Sequence, residues 1–282
     1  MSLKIKRTSA RPKGRRASQT VRRNTRPGPH AAVKPAGNHP EPYVSVIIPA
    51  MNEARTIAKV IAGARGVHPR CEVIVIVNGS ADKTAEVARS SGAKVIAFEQ
   101  PLGHDVGRSV GAEAAKGEIL LFTDGDLVIP AEQLRPFVSA ISGGADLALN
   151  DYSGPVRSRF PHPVVLSKHV LNMMLGRPEL KGCSLTAVPH AISRKALAAL
   201  GSSLLSRPPM AYARAVLDGL LIKPVVRVPV GKLNAVRRKT GGKDPLQEAV
   251  IRDHLDAVQQ LLEHKGDRAG YSDGNRRREM VR

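Results

Sequence analysis

Two carboxylates with one residue between them, Asp124 and Asp126, follow the apolar run from Ile119 to Thr123. Alternate residues at the end of a strand can aim toward the same side, and two acids placed together repel each other unless something neutralises them. A divalent cation, Mg²⁺ or Mn²⁺, that bridges to phosphate oxygens would meet that demand. A polar turn is the alternative, because Asp and Gly are turn residues, and the spacing alone does not decide.

Polar residues also follow two other apolar runs, Val44 to Pro49 and Glu72 to Val77. Ligands of parallel sheets bind beyond the carboxyl ends of the strands, where helix starts attract phosphate. Each residue alone has a simpler interpretation as a helix cap or a first-turn acid, but their convergence on one sheet edge favours a phosphate-binding site. The candidates are Asn52 and Glu53 after the first run and Asn78, Ser80 and Asp82 after the second.

Alternating strands and helices must position these residues between Tyr43 and about Asn150. The spacing of Ile57, Val60, Ile61 and Ala64 predicts one buried helix face, and Asn52 is expected to cap that helix. The pattern is β-α-β-α-β-α-β, which predicts a mostly parallel sheet with helices on both faces. The predicted strands are 44–49, 72–77, 94–98 and 119–123, and the predicted helices include 82–91 and 106–115.

The second half of the chain is less regular. Helices are predicted at 163–175, 193–200 and 209–219, a strand at 221–230, and an amphipathic helix at 245–264 that Gly266 ends. The buried stripe of that last helix is expected at Ile251, Leu255, Val258 and Leu262. The predicted organisation is a disordered basic tail (1–42), two halves of one domain (43–150 and 151–243), a C-terminal amphipathic helix (244–266) and a flexible end (267–282).

Charge is unevenly distributed along the chain. The formal net charge is +20, and residues 1–42 hold 11 Lys or Arg against one acid, Glu41. Such a balance indicates anionic partners such as phosphate-bearing substrates, nucleic acid or an acidic membrane face, although a solubilising extension is the simpler interpretation of the tail. With 3% aromatic residues, sequence-selective recognition of single-stranded nucleic acid is disfavoured.

Membrane spans and disulfides are not expected. No apolar run reaches the roughly 18 residues of a membrane span, and no apolar stretch follows the basic N-terminus as a secretory signal would require. Cys71 and Cys183 form no pairing pattern. These observations favour a cytoplasmic protein, with a peripheral position at the inner face of a membrane left open.

Four segments together resemble the family 2 glycosyltransferases of the GT-A fold. They are VSVIIPAMNE (44–53), VNGSADKT (77–84), GHDVGRSVGAEAAKGE (103–118) and LLFTDGDL (120–127), in matching order and spacing over about 85 residues. The resemblance implies a single Rossmann-like catalytic domain, a UDP- or GDP-sugar donor and a divalent cation. A weaker similarity extends to a related retaining family that makes glucosyl-3-phosphoglycerate.

The resemblance also implies roles for residues in the donor half. Pro49, Asn52 and Glu53 fit the family's P-x-x-N-E motif, and Asn78 stands where the family usually has an acid that contacts the base of the nucleotide. That departure leaves the base open. Arg108, in a stretch similar to the family's A-R-N, is implied to lie near the donor. The D-x-D motif that holds metal and diphosphate corresponds to Asp124, Gly125 and Asp126.

The acceptor half departs further from the family. Its usual Glu-Asp pair is missing around Leu204 to Asp218, so Asp151 is the candidate base of an inverting reaction, and a retaining reaction needs no such base. Three further features of this half each have two interpretations. His190 either reaches the acceptor or packs, the basic run Arg237 to Lys239 either closes over the diphosphate or is solvated, and the apolar face of 163–175 either meets a lipid acceptor or belongs to the core.

Two other functions compete with sugar transfer. A nucleotidyltransferase would need a glycine-rich loop bearing Lys or Arg after the first strand, which the residues from Pro49 to Glu53 lack. A catalytically degenerate GT-A domain that binds nucleic acid or a membrane through its basic tail is the remaining alternative. The acceptor is not identified by the sequence; a lipid-linked or cell-surface glycan precursor is one class, and nucleic acid is disfavoured.

Overall fold

One seven-stranded sheet forms the centre of the protein in a computed structural model that describes residues 37–156, 159–233, 245–276 and 280. The strand order is β3-β2-β1-β4-β6-β5-β7. The predicted mostly parallel sheet and its first four strands are confirmed. The strands are β1 (Val44–Ala50), β2 (Cys71–Asn78), β3 (Lys94–Phe98), β4 (Ile119–Phe122), β5 (Leu147–Leu149), β6 (His190–Ser193) and β7 (Ile222–Pro224).

The pairing of the strands decides which ends meet. β1 pairs in parallel with β2 and β4, and β6 runs antiparallel to both β4 and β5. The carboxyl ends of β1, β2, β4 and β5 therefore share one edge with the beginning of β6. β1 and β2 are buried on both faces, which is why they read as continuous apolar runs rather than as alternating patterns.

Helices cover both faces of this sheet, as predicted. One apolar cluster includes residues of α1 and α4, and the other includes residues of α3, α5, α7 and α9. The helices are α1 (Ile57–Arg65), α2 (Thr84–Ser90), α3 (Val106–Ala114), α4 (Ala131–Ser142), α5 (Pro163–Met174), α6 (Arg194–Leu200), α7 (Pro208–Leu217), α8 (Val230–Leu233) and α9 (Pro245–Lys265). Helix α3 lies very close to the sheet, because a Cβ on Gly111 would be 2.7 Å from Ile76 Cδ1 and nearer still to Ile47.

The prediction that Asn52 caps the first helix is wrong. Helix α1 begins four residues after Glu53, at Ile57, and its first turn contains no acid. Asn52 instead has a left-handed backbone (φ 58°), and its side-chain oxygen accepts the N–H of Ala81. A tertiary contact between two loops thus replaces the local cap.

The sequence pattern also missed or misplaced short elements. The strand predicted at 221–230 is only three residues long, and Val230–Leu233 is helical. Helix α4 and the strands β5 and β6 were not predicted. The helix predicted at 193–200 is confirmed as α6, and Ser193 caps it, since its Oγ accepts the N–H of Ala196 at 3.0 Å.

The buried face of α9 differs from the predicted stripe. Leu255 is 63% exposed, and the buried positions are one residue earlier in the repeat, at Val250, His254, Ala257 and Leu261. A polar His254 thus occupies the packed face, where its Nδ1 lies 2.7 Å from the carbonyl of Val250. Gly266 follows the helix with a positive φ, as expected of a helix stop.

Both predicted tails contain packed residues. Asn38, placed in the basic tail by the sequence, exchanges hydrogen bonds with the backbone of Val73. At the other end Ala269 is buried, and Tyr271 donates its hydroxyl to the carbonyl of Met173 at 2.5 Å. Residues 1–36 and the basic run Arg237 to Lys239 lie outside the described residues. Within the described part of the chain, no helix combines the length and apolar character needed to cross a bilayer.

Candidate active site

The loops that follow β1 and β2 are joined by hydrogen bonds between the predicted polar residues. The N–H of Asn52 donates to Ser80 Oγ at 3.0 Å, and Asn52 Oδ1 accepts the N–H of Ala81 at 2.9 Å. Asp82 Oδ2 accepts the N–H of Ala54 at 3.0 Å. The structure therefore brings these residues together, and these hydrogen bonds hold the two loops in one arrangement at the carboxyl edge of the sheet.

Two threonines that sequence reasoning missed extend this network. Thr84 Oγ1 accepts the N–H of Glu53 at 2.7 Å, and Thr56 Oγ1 donates to the carbonyl of Gly125 at 2.9 Å. Thr56 also contacts Glu53 Oε2 at 3.0 Å. The β1 loop thereby contacts the turn that carries Asp124 and Asp126. The sequence signal was weak: Thr84 is the last residue of the segment 77–84, and Thr56 lies three residues after Glu53.

Asn78 fixes a third loop. Its Oδ1 accepts the N–H of Leu102 at 2.6 Å, and its Nδ2 donates to the carbonyl of Gly103 at 3.0 Å. Both hydrogen-bonding ends of the amide are thus engaged inside the chain. An aspartate at this position could accept the first bond but could not donate the second.

The turn between Asp124 and Asp126 packs directly against the end of β1. The N–H of Gly125 donates to the carbonyl of Pro49 at 3.0 Å. A Cβ on Gly125 would lie 2.8 Å from the Cβ of Ala50 and 3.3 Å from the carbonyl oxygen of Pro49. This close approach requires glycine, and it holds both carboxylates beside the β1 loop.

Arg108 connects α3 to that turn. Its guanidinium Nη2 lies 3.1 Å from Asp105 Oδ1 and 3.6 Å from Asp124 Oδ1, and Nη1 donates to the carbonyl of Leu185 at 3.3 Å. The Arg108 side chain is only 6% exposed, whereas that of Asp124 is 37% exposed. A buried cation thus holds one oxygen of a carboxylate that still reaches solvent.

The charges around Asp124 act in opposite directions. Burial is the largest influence and raises the pKa of Asp124, repulsion from Asp126 and Asp105 raises it further, and Arg108 lowers it. The partial exposure of the side chain moderates the effect of burial. Arg108 therefore favours the ionised form of Asp124, whereas the neighbouring acids Asp105 and Asp126 disfavour that form.

The two carboxylates of this turn fit a metal ion whose remaining ligands come from the substrate and from water. Within the described part of the chain, no group of three or more His, Cys, Asp or Glu side chains forms a metal cage. Mg²⁺ is commonly held by one or two carboxylates together with substrate phosphates and water. Asp124 and Asp126 are close enough for Asp126 to raise the pKa of Asp124, and a cation between them would relieve that repulsion.

His190 is buried at the beginning of β6. Its ring stacks on Phe122 with centroids 5.0 Å apart, and its Nδ1 lies 3.0 Å from the carbonyl of Ala187. Burial, together with the positive charge of Arg108, lowers the pKa of His190 to about 3. The imidazole is therefore neutral near pH 7 and donates from Nδ1 to Ala187. This placement corresponds to the packing interpretation.

Asp151 follows β5 at the same sheet edge and is exposed. Its N–H donates to the carbonyl of Val226 at 3.1 Å, and the Cys183 thiol donates to its Oδ1 at 3.7 Å. The preceding Asn150, which sequence reasoning missed, is fully buried and bonds to the backbone of Val188 and Val228. It fixes the backbone from which Asp151 projects.

Asp218, another acid of the acceptor half, directly follows α7. Its carboxylate accepts from Arg214 Nε at 2.8 Å across one helical turn. An exposed pair of this kind is an ordinary helix-surface contact. Asp218 therefore has a partner on its own helix.

Residues 45–193, more than half of the chain, match the sequence profile described as Glycosyl transferase family 2. The chain belongs to glycosyl transferase family 2. Among curated relatives of this family 2 member, glycosyltransferase AglE of Haloferax volcanii is 37% identical over 130 residues, which are 43% of this chain and 41% of the relative. The dolichyl-phosphate hexose transferase of the same organism is 32% identical over 108 residues, 38% of this chain and 47% of the relative. The chain thus spans less than half the length of these relatives.

A solved structure resembles this family 2 member over most of its length. Glucosyl-3-phosphoglycerate synthase from Mycobacterium tuberculosis, in complex with Mn²⁺, UDP-glucose and phosphoglyceric acid, superposes with a TM-score of 0.54 at 25% identity. The match covers 82% of this chain and 81% of that chain. The predicted GT-A fold is confirmed. The predicted similarity to enzymes that make glucosyl-3-phosphoglycerate is confirmed as well.

Proposed function

We propose that the chain is a glycosyltransferase that moves a sugar from a nucleoside diphosphate sugar to an acceptor, with Asp124 and Asp126 holding a divalent cation. The observation that carries this proposal is the convergence of three loops on one edge of the sheet. The β1 and β2 loops are bonded to each other through Asn52 and Ser80, and the β1 loop contacts the Asp124–Asp126 turn through Thr56. Family membership and the Mn²⁺- and UDP-glucose-bound structural relative support the same assignment.

In the proposed reaction a bond forms between an acceptor oxygen and the anomeric carbon of the sugar, and the bond from that carbon to the diphosphate breaks. A divalent cation on the diphosphate would offset the negative charge that develops on the leaving group. Arg108 acts through Asp124: it opposes the rise in the pKa of this carboxylate and lies 3.6 Å from one of its oxygens. We assign Arg108 as a positioning residue, and the Asn52–Ser80 network as the support for the β1 loop.

Asp151 is the proposed base if the reaction inverts the anomeric centre. It is exposed at the carboxyl edge that also carries Asp124, and it would accept the proton of the acceptor hydroxyl. Anomeric analysis of the product separates this role from a retaining reaction. An Asp151→Asn variant with unchanged turnover would remove Asp151 from the mechanism.

The proposed acceptor is a phosphate-bearing molecule. One relative is named dolichyl-phosphate hexose transferase, and the structural relative was solved with phosphoglyceric acid. A net charge of +20 favours an anionic acceptor of either kind. A cytoplasmic location, peripheral to the inner face of a membrane, belongs to the same proposal, and the two free cysteines support it.

Turnover is tested by measuring nucleoside diphosphate release from a panel of UDP- and GDP-sugars, with Mg²⁺ or Mn²⁺ and after chelation. We expect release from one donor class, dependent on the metal and abolished in Asp126→Asn. The exposed Asp267→Asn is the matched control and keeps the activity. A chain that releases no nucleoside diphosphate from any of these donors would instead support the degenerate GT-A alternative.

A further inference from the structure

Helix α5 has its polar and apolar residues in an unusual arrangement. Lys168 and Asn172 lie on its buried face, together with Val165 and Leu171. Asn172 is satisfied there, because its Nδ2 donates to the carbonyls of Lys181 and Cys183 and its Oδ1 accepts the hydroxyl of Tyr212. An ordinary surface helix buries its apolar stripe and exposes its polar residues.

The exposed face of α5 is apolar. Leu166, Val170 and Met173 are 46%, 49% and 62% exposed, at the spacing that places them along one side of a helix. We call these three residues the α5 stripe. The other exposed residue within α5 is Pro163, so this face presents no charged side chain. A contiguous exposed apolar face of this kind marks an interaction surface.

Aromatic and basic residues adjoin the stripe. Phe160, shortly before α5, is 80% exposed, and the guanidinium of Arg159 lies 5.4 Å from its ring centre. At the other end, the hydroxyl of Tyr271 binds the carbonyl of Met173. Apolar side chains flanked by aromatic rings and cations are typical of surfaces that bind the interface of a bilayer.

We propose that the α5 stripe docks on the surface of an anionic lipid bilayer. Charge complementarity selects this partner, because a chain of net charge +20 is attracted to anionic lipid and repels a second copy of itself. Nucleic acid is bound mainly through its phosphates and would leave the apolar stripe exposed, whereas the interface of a bilayer accepts apolar side chains beside a flanking cation such as Arg159. Residues 1–36 and 234–244 are basic and polar in sequence, so they carry little apolar surface that could cover the stripe.

Docking through α5 would place the acceptor half at the lipid surface. The chain runs from Asp151 at the sheet edge to Pro163 at the start of α5 within a dozen residues. The docking surface is separate from the proposed donor site, so the two assignments can fail separately. Nucleotide binding measured without lipid tests the donor site, and vesicle binding measured without nucleotide tests the stripe.

The test is co-sedimentation of the full chain with phosphatidylcholine vesicles that do or do not contain phosphatidylglycerol. We expect Val170→Gln/Met173→Gln to weaken binding to the anionic vesicles by about tenfold or more. The matched control is Leu221→Gln/Leu255→Gln, whose two residues are 49% and 63% exposed on other elements, and it should bind as the wild type does. Equal loss in both variants, or no loss in the first, would overturn the proposal.

A fluorescent reporter keeps the proposal testable if the glutamine variant does not fold. The chain contains no tryptophan, so Val170→Trp and Leu221→Trp each carry a single one. On adding anionic vesicles, the emission of Val170→Trp should shift to shorter wavelength and that of Leu221→Trp should not. A shift that follows protein concentration without lipid would instead identify a second copy as the partner and contradict bilayer docking.

Discussion

The guanidinium Nη2 of Arg108 lies 3.6 Å from Oδ1 of Asp124, and the arginine is buried while the carboxylate reaches solvent. The same nitrogen contacts Asp105 at 3.1 Å. One buried cation therefore joins a helix of one sheet face to the turn that is proposed to hold the metal. This arrangement makes the geometry of the turn depend on a residue 16 positions earlier in the chain (124 − 108 = 16).

Arg108→Met should destabilise the fold, because it leaves Asp105 and Asp124 without their shared cation. We expect a loss of about 2 kcal/mol or more in the free energy of unfolding, measured by urea titration. The exposed Arg89→Met is the control and should stay within about 0.5 kcal/mol of the wild type. Equal stability of the two variants would show that the buried pairs contribute nothing measurable.

Gly125→Ala should disturb the Asp124–Asp126 turn, because the new Cβ would lie 2.8 Å from the Cβ of Ala50. Overpacking of this kind costs about 1–3 kcal/mol, and we expect weaker metal-dependent nucleotide binding as well. Gly37→Ala introduces a Cβ with no atom within 4 Å and is the matched control. Wild-type stability and nucleotide binding in Gly125→Ala would refute the requirement for glycine.

Asn78→Asp restores the residue type usual in the family but removes the donor to the carbonyl of Gly103. We expect a loss of about 1–3 kcal/mol in the free energy of unfolding, measured by urea titration, because the carbonyl of Gly103 loses its donor. The Leu102 amide, 2.6 Å from Oδ1, keeps an acceptor in the variant and should stay protected from hydrogen exchange. The exposed Asn275→Asp serves as the control. Stability equal to that of the control would mean that the Asn78 donor does not fix this loop.

Lys168 predicts a pH dependence of stability. Burial lowers its pKa from 10.5 to about 8, and no acid among the described residues pairs with it. Between these values the unfolded chain holds a proton that the folded chain lacks, so the lysine's contribution to stability rises with pH. Below about pH 8 the folded chain carries a desolvated charge.

Lys168→Met should therefore be more stable than the wild type at pH 7, by about 2 kcal/mol. That advantage should shrink as the pH rises toward 10.5, the unfolded-state value. Lys181→Met, at an exposed lysine, should show neither effect. The measurement is urea unfolding at several pH values, and a constant difference between Lys168→Met and wild type would contradict the prediction.

The sequence was most informative where burial leaves a simple pattern. β1 and β2 are buried on both faces, so their apolar runs predicted strands and, through their order, the parallel sheet. β5 and β6 have only three and four residues, and their strand conformation depends on pairing with each other and with β4. β4 also has four residues, but all of them are apolar, whereas β6 mixes polar and apolar residues and β5 has only three positions in which a pattern could show.

The site was predictable as a set of residues but not as a set of contacts. Asn52 was recognisable from its motif, yet its left-handed backbone depends on Ser80 and Ala81 in another loop. The buried face of α5 was equally hidden, since Lys168 and Asn172 would ordinarily be assigned to the exposed side of a helix. Asn172 is buried because partners distant in the chain satisfy it.

The most direct test of the proposed function is a calorimetric titration of UDP and GDP into the wild type and into Asp124→Ala/Asp126→Ala, with and without Mn²⁺. We predict that one nucleotide binds the wild type, that binding needs the metal, and that the double variant loses it. Asp267→Ala should bind as the wild type does. Equal binding by the double variant, or binding indifferent to the metal, would contradict the assignment of Asp124 and Asp126.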